Sequence, residues 1–285
     1  MKKTLLVPTD FSNNSMAAAK YASKLAIERD YSIHLIHYYT TASSSFPSEE
    51  LSKEFENSAI LKADLTILEF EKKLQEEFPS VYYTHRTSRG LLKENLPLEA
   101  KKEGYEAIVM GTKGLGDSKS ELWGSNTSSI ASKSPIPVLA IPGYYNVFKT
   151  GRIALLTNFK EDELHTLNEF IDTFGEINAL DLIHVYQESE QEATVIQKIE
   201  AWKSRIFQQL SLENINYYID KEQKDKEDLD TVPEVIHKLV EQHAPDIVLI
   251  TKSRKSFFKR LFYPSVSKAV VLDINKPSYF SKVSL

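Results

Sequence analysis

Between residues 111 and 127 the chain reads GTKGLGDSKSELWGSNT, and three of its glycines, Gly111, Gly114 and Gly124, are spaced as G-x2-G-x9-G-S. Glycine admits positive φ and lets a ligand come close to the backbone. Gly124 opens the stretch SNTSSIAS, which reads as a helix whose first N–H groups and positive dipole end suit an anion. Ser125 and Thr127 add hydroxyl donors at the same terminus. The chemistry this predicts is the binding of a polyphosphate. A Walker A loop is excluded, because no Lys-Ser/Thr pair follows the last glycine. The dinucleotide fingerprint fails as well: Gly114 and Gly116 have no third partner at the required distance. The structural alternative is that the glycines only make turns around a crossover.

Elements that position such a loop alternate along the first half. Short apolar runs at 4–8, 33–39, 81–86, 106–110 and 137–141 alternate with helical patterns at 12–29, 49–78 and 93–103, the mark of βαβ units and a parallel sheet. Ser12 is placed to cap the first helix, in which Ala18, Tyr21, Ala22, Leu25 and Ala26 recur at helical spacing. Ligands of such sheets lie outside the carboxyl ends of the strands, where strand order reverses. Asp10 and Gly111 stand at the ends of the first and fourth strands.

The second half repeats the order. IALLTNF answers LLVPTDF with Asn158 for Asp10, LDLIHVY answers IHLIHYY with His184 for His37, and DIVLI answers EAIVM. Further strands are expected at 216–220 and 276–280 and a helix at 190–210. A period this long means tandem domains, here 1–143 and 150–285. When TKSRKSFFKRLFYPSVS is aligned on the glycine stretch, Thr251, Arg254 and Pro264 replace the three glycines. Proline adds bulk where a ligand would lie and Arg254 fills a position that had no side chain. The second copy is expected to keep the fold and lose the nucleotide. Arg254, Lys255, Lys259 and Arg260 surround two phenylalanines; this reads as a solvated loop, with an anion clamp as the alternative.

His37 and His184 recur beside apolar residues at equivalent strand positions, so packed, hydrogen-bonded roles are expected. No H-x3-H or H-E-x-x-H spacing raises a metal site. For hydrolysis a base or water-positioning group is needed near the γ-phosphate, and no Ser-His-Asp set can be located from spacing, so no catalytic residue is assigned.

Taken together, VPTDFS, the His-plus-apolar end of the second strand, VMGTKGLG, the nine-residue spacer, GSNT and PIPVLAIP resemble the universal stress protein family, and the whole chain resembles its tandem two-domain form. The resemblance implies a flavodoxin-like (Rossmann-like) α/β fold, each domain a five-stranded parallel sheet of order 3-2-1-4-5 flanked by helices. It also implies ATP binding, with Mg2+ arriving on the nucleotide. Carried over by motif, Asp10 and the backbone around Tyr38 would face the adenosine part, with Pro8, Thr9 and Met110 also among the nucleotide-binding residues. Gly111, Gly114, Gly124, Ser125, Asn126 and Thr127 would hold ribose and phosphates. Asn126 stands where the family often has valine, and Asp117 and Glu121 put negative charge into the loop, which lowers the affinity expected. The function implied is a stress-response ATP switch in the first domain with the second as structural partner. The alternatives are a slow ATPase or phosphotransferase, or an interaction module without nucleotide.

A chain of 285 residues suits two domains of about 140. With 41% hydrophobic and 26% charged residues it is an ordinary globular composition, and a net charge of −5 offers no global attraction to nucleic acid or anionic membrane. The absence of cysteine excludes disulfides and thiolate metal sites. MKKTLLVPTD is too short in apolar residues for a signal peptide and no span approaches membrane length, so a cytoplasmic location is expected. Expected partners are an adenine nucleotide and an unnamed protein, with the two copies forming a pseudo-dimer within the chain and a homodimer as a further option.

Overall fold

The computed structural model describes residues 2–40, 49–112, 125–145, 148–222, 232–252 and 275–282. The chain divides into two compact units, with the division between Phe148 and Lys149.

In the first unit the order is β1 (Thr4–Pro8), α1 (Asn13–Arg29), β2 (Ser32–Tyr39), α2 (Glu49–Glu77), β3 (Tyr83–Arg89), α3 (Leu92–Glu99), β4 (Tyr105–Gly111), α4 (Ser125–Lys133) and β5 (Val138–Ile141). The strands pair in parallel in the order β3-β2-β1-β4-β5. Leu5 to Val7, Ala107 to Met110 and Val138 to Ile141 are buried without interruption, as expected for parallel strands covered on both faces. Ser12 caps α1 by accepting from the Ser15 N–H at 3.1 Å, and Asp30 ends it in the left-handed region at φ 53°. The helix α3 stops at Glu99, earlier than its sequence pattern suggests. Residues 101–104 turn there, and Gly104 at φ +96° leads into β4.

The second unit runs β6 (Arg152–Leu156), α5 (Glu161–Phe174), β7 (Ala179–Tyr186), α6 (Glu192–Leu210), β8 (Ile215–Lys221), α7 (Val232–His243), β9 (Ile247–Ile250) and β10 (Ser278–Phe280). Its parallel order is β8-β7-β6-β9-β10, the same 3-2-1-4-5 connectivity. Phe170, Phe174 and Tyr279 form its aromatic centre, with ring centroids 5.0–5.6 Å apart. In each unit the chain leaves the central strand in one direction and later crosses to the other side, which puts the switch point, where ligands of such sheets lie, at the carboxyl ends of β1 and β4, and of β6 and β9.

Candidate functional site

At the end of β1 the turn of residues 9–12 is held from both sides. The Thr9 amide donates to the Ile36 carbonyl at 2.9 Å, and its own carbonyl contacts His37 Nδ1 at 2.7 Å. Thr9 Oγ1 accepts from the Phe11 amide at 3.0 Å and shares a hydrogen bond with Ser15 Oγ at 3.0 Å. Asp10 Oδ1 accepts from the Ser12 amide at 3.0 Å, an Asx turn that delivers the chain to the cap of α1. Phe11 pays for this path with φ 65° and is held there by His37, 4.3 Å away ring to ring, and Phe70 at 5.9 Å.

Pro8 ends β1 opposite Ile36, and Tyr38 lies in β2 opposite Ser88. Burial, together with the charge of Glu99, pushes the Tyr38 phenol up to about 12, so the ring is a neutral hydrogen-bonding group. Met110 is buried in β4. Gly111 ends that strand, and a Cβ there would lie 3.0 Å from the Asn14 carbonyl oxygen. Its missing side chain therefore lets α1 approach β4, a packing reason that needs no ligand. A Cβ at Gly143 would likewise meet the Asn14 side chain.

Thr127, 2% exposed, hydrogen-bonds through Oγ1 to the Gly111 carbonyl at 3.0 Å and the Thr112 carbonyl at 3.3 Å. That hydroxyl is thus turned into the protein and fastens the start of α4 to the end of β4. Asn126 is exposed in the first turn of α4, and Ser125 is its first residue. Gly114 and Gly124 lie outside the described residues, as do Asp117, Glu121 and the basic stretch from Arg254 to Arg260. Among the described site residues, Pro8 to Asp10, Met110 to Gly111 and Asn126 to Thr127 therefore gather at the carboxyl ends of β1 and β4. Asn14 and Ser15 belong to the same cluster and carry no motif of their own in the sequence. Asn14 shows itself only in the fold, as the common neighbour of Gly111 and Gly143.

The two copies differ most in charge at this edge. Neither α1 nor α4 has an acid within its first turn; at α1 one carboxylate, Asp10, accepts from the Ser12 amide just ahead of the helix, where the dipole favours it. By contrast, α5 begins with Glu161, Asp162 and Glu163. Glu163 replaces Ser15 of the first unit; it accepts from the Asn158 amide at 2.7 Å and from the Thr157 hydroxyl. Desolvation, opposed by these hydrogen bonds, raises its carboxyl to about 7. The rest of the turn is preserved: Thr157 Oγ1 accepts from the Phe159 amide at 3.1 Å, Phe159 has φ 62°, and His184 Nδ1 reaches the Thr157 carbonyl at 2.8 Å while packing on Phe159 at 4.6 Å. His37 and His184 thus serve the same packing role.

A separate open groove of about 710 Å3 lies between α1 and α2, lined by Phe11, Met16, Lys20, Phe70, Lys73 and Glu77 among others. It shares Phe11 and Ser12 with the turn but not Asp10 or Gly111, so the strand-end switch point remains the candidate site. Among the described residues no group of three or more His, Asp or Glu is arranged to hold a metal ion.

Two copies of a doubly wound α/β unit, each with the same strand order and switch point, define the class. The sequence model of the Universal stress protein family matches residues 1–142 and again 150–279, and the chain belongs to that family. A universal stress protein of Methanocaldococcus jannaschii is 27% identical over 139 residues, covering 49% of this chain and 81% of the relative. Among solved structures, a universal stress protein from Archaeoglobus fulgidus superposes with a TM-score of 0.66 at 16% identity, over 98% of this chain and 96% of the other. A putative universal stress protein from Pseudomonas aeruginosa gives 0.57 at 13% identity, over 98% and 92%. At these identities the structural likeness speaks for the fold.

Proposed function

We propose that the first unit binds an adenine nucleotide, ATP with Mg2+ carried on its phosphates, at the carboxyl ends of β1 and β4, as a regulatory switch in a cytoplasmic stress response. The second unit acts as a structural partner without nucleotide. The observation that carries this reading is the contrast in charge between equivalent helices: α1 has no acid in its first turn and Asp10 alone just ahead of it, whereas α5 has three acids in its first turn. Anions favour the former and are repelled by the latter. In the ligand-binding unit Asp10 and the strand-end backbone near Tyr38 would meet the adenosine, while the amide groups at the start of α4 and the glycines Gly111, Gly114 and Gly124 would meet the phosphates. Thr127 would act by fixing α4 and not by touching phosphate, because its hydroxyl already bonds the Gly111 and Thr112 carbonyls. Closing the turn with Glu163 supports a second unit that satisfies its own amides. ATP would act by favouring one conformation of the first unit over another, without chemistry.

The test is calorimetric titration of Mg-ATP into the protein and into a Gly124→Pro variant, which copies Pro264 of the second unit. One site per chain, lost in the variant, is expected. No heat in the unaltered protein would overturn the reading, and two sites per chain would overturn the division of roles.

A further inference from the structure

The helix α2 carries leucines on the wrong side. Its core face is Ala63, Ile67, Phe70 and Leu74, all buried. Directly across the helix stand Leu61, Leu65 and Leu68, 60%, 53% and 47% exposed. Residues at i, i+4 and i+7 share one face over two turns, roughly 10 Å. A helix that covers a sheet normally presents polar side chains there, and three in-line leucines at alternating steps of four and three have the spacing of a helix-pair seam.

We propose that α2 pairs antiparallel with α2 of a second copy of this chain, about a two-fold axis at Leu65. Along one flank the sequence is self-complementary about that axis; along the other Asp64 falls beside its own equivalent, with its carboxylate accepting from the Thr87 hydroxyl. Leu61 then meets the partner's Leu68 and Leu68 the partner's Leu61, while Leu65 meets its own equivalent. On one flank of the seam lie exposed Lys62 and Glu69, three residues before the axis and four after it, so each Lys62 falls beside the partner's Glu69, twice over by symmetry. Among the described residues neither makes an ion pair within the chain. A parallel pair would instead set Lys62 against the partner's Asn57 and Asp64 beside the partner's Glu69. The seam is short: Ser58 and Lys72 close it at equal distances from Leu65. Three half-exposed leucines per copy fall well short of the roughly 800 Å2 per partner of a standard interface, so the dimer is weak and reversible. It is independent of the nucleotide reading.

Sedimentation velocity on the full chain, from micromolar to millimolar concentration, tests this. The average mass should climb from one 32.5 kDa chain toward two, and Leu65→Glu should abolish the rise while leaving the circular dichroism unchanged. Lys62→Glu and Glu69→Lys should each weaken association about tenfold by turning attraction into repulsion. Mixed in equal amounts, the two variants should recover it, because in the mixed pair both flanking contacts become opposite in sign. A chain that stays monomeric at millimolar concentration, a dimer indifferent to Leu65→Glu, or a mixture that does not recover would each overturn the proposal.

Discussion

Glu163 and Lys252 are buried in the second unit, 3% and 9% exposed, and desolvation moves their titrations toward neutrality from opposite sides. Glu163 is raised from 4.5 to about 7, Lys252 lowered from 10.5 to about 7. In the folded chain Glu163 therefore binds more protons than the unfolded chain between pH 4.5 and 7, so its contribution makes stability fall as pH rises through that window. Lys252 binds fewer protons in the folded chain from about pH 7 to 10.5, so its contribution makes stability rise there. Chemical denaturation across pH should show the falling limb flattened by Glu163→Gln; the slope is the readout, since glutamine also loses one acceptor from the Thr157 and Asn158 contacts. An unchanged slope would mean that Glu163 is ionised throughout. Lys252 Nζ has no hydrogen-bond partner among the described residues; the Glu169 charge offsets its desolvation only in part, and a buried amine without a hydrogen bond is costly. Lys252→Met should raise stability at pH 7 by up to about 4 kcal/mol, read as a higher denaturation midpoint. A loss of stability would show that the amine is satisfied in solution.

At the scale of elements, the approach of α1 to β4 explains one glycine without invoking a ligand. Gly111→Ala would press a methyl group to 3.0 Å from the Asn14 backbone oxygen, and since backbone at a helix start yields little, a cost of about 1–3 kcal/mol is expected in the nucleotide-free protein. If thermal unfolding without nucleotide is unchanged by Gly111→Ala, the packing account fails and the glycine is left to ligand binding. At Gly143 the atom in the way is the end of the Asn14 side chain, which can swing aside, so the same substitution there should cost less. Helices α5 and α7 were not legible in sequence as single elements. Lys160, at the cap of α5, makes no side-chain cap hydrogen bond, so the usual start signal is missing. By contrast, α1 was legible to within a residue because Ser12 and a regular run of alanines mark it.

For the whole molecule, a division of labour between the units has a spatial signature. Hydrogen exchange with and without Mg-ATP should show protection in residues up to 148 and none from 149 onward. At a ligand concentration a hundred times its dissociation constant, the stabilisation expected of a single site is about 2.7 kcal/mol. Protection in both units would contradict a structural role for the second. No helix among the described residues is long and apolar enough to cross a membrane.

Taken by itself, the sequence determined the duplication, the parallel α/β class and most strand positions. These rest on local patterns, apolar runs and helical spacing, that repeat between the halves whatever their surroundings. It also marked Asp10, Gly111 and Thr127 as neighbours, because strand ends of this topology converge. Only the tertiary structure decided what those residues do at close range. Gly111 makes room for Asn14, and Thr127 hydrogen-bonds to two carbonyls. Glu163 folds back onto Thr157 and Asn158, and Leu61, Leu65 and Leu68 look outward while their helical neighbours look in. Each of these depends on which atoms of distant segments share a space, and a linear pattern records spacing along the chain but not what stands across from it.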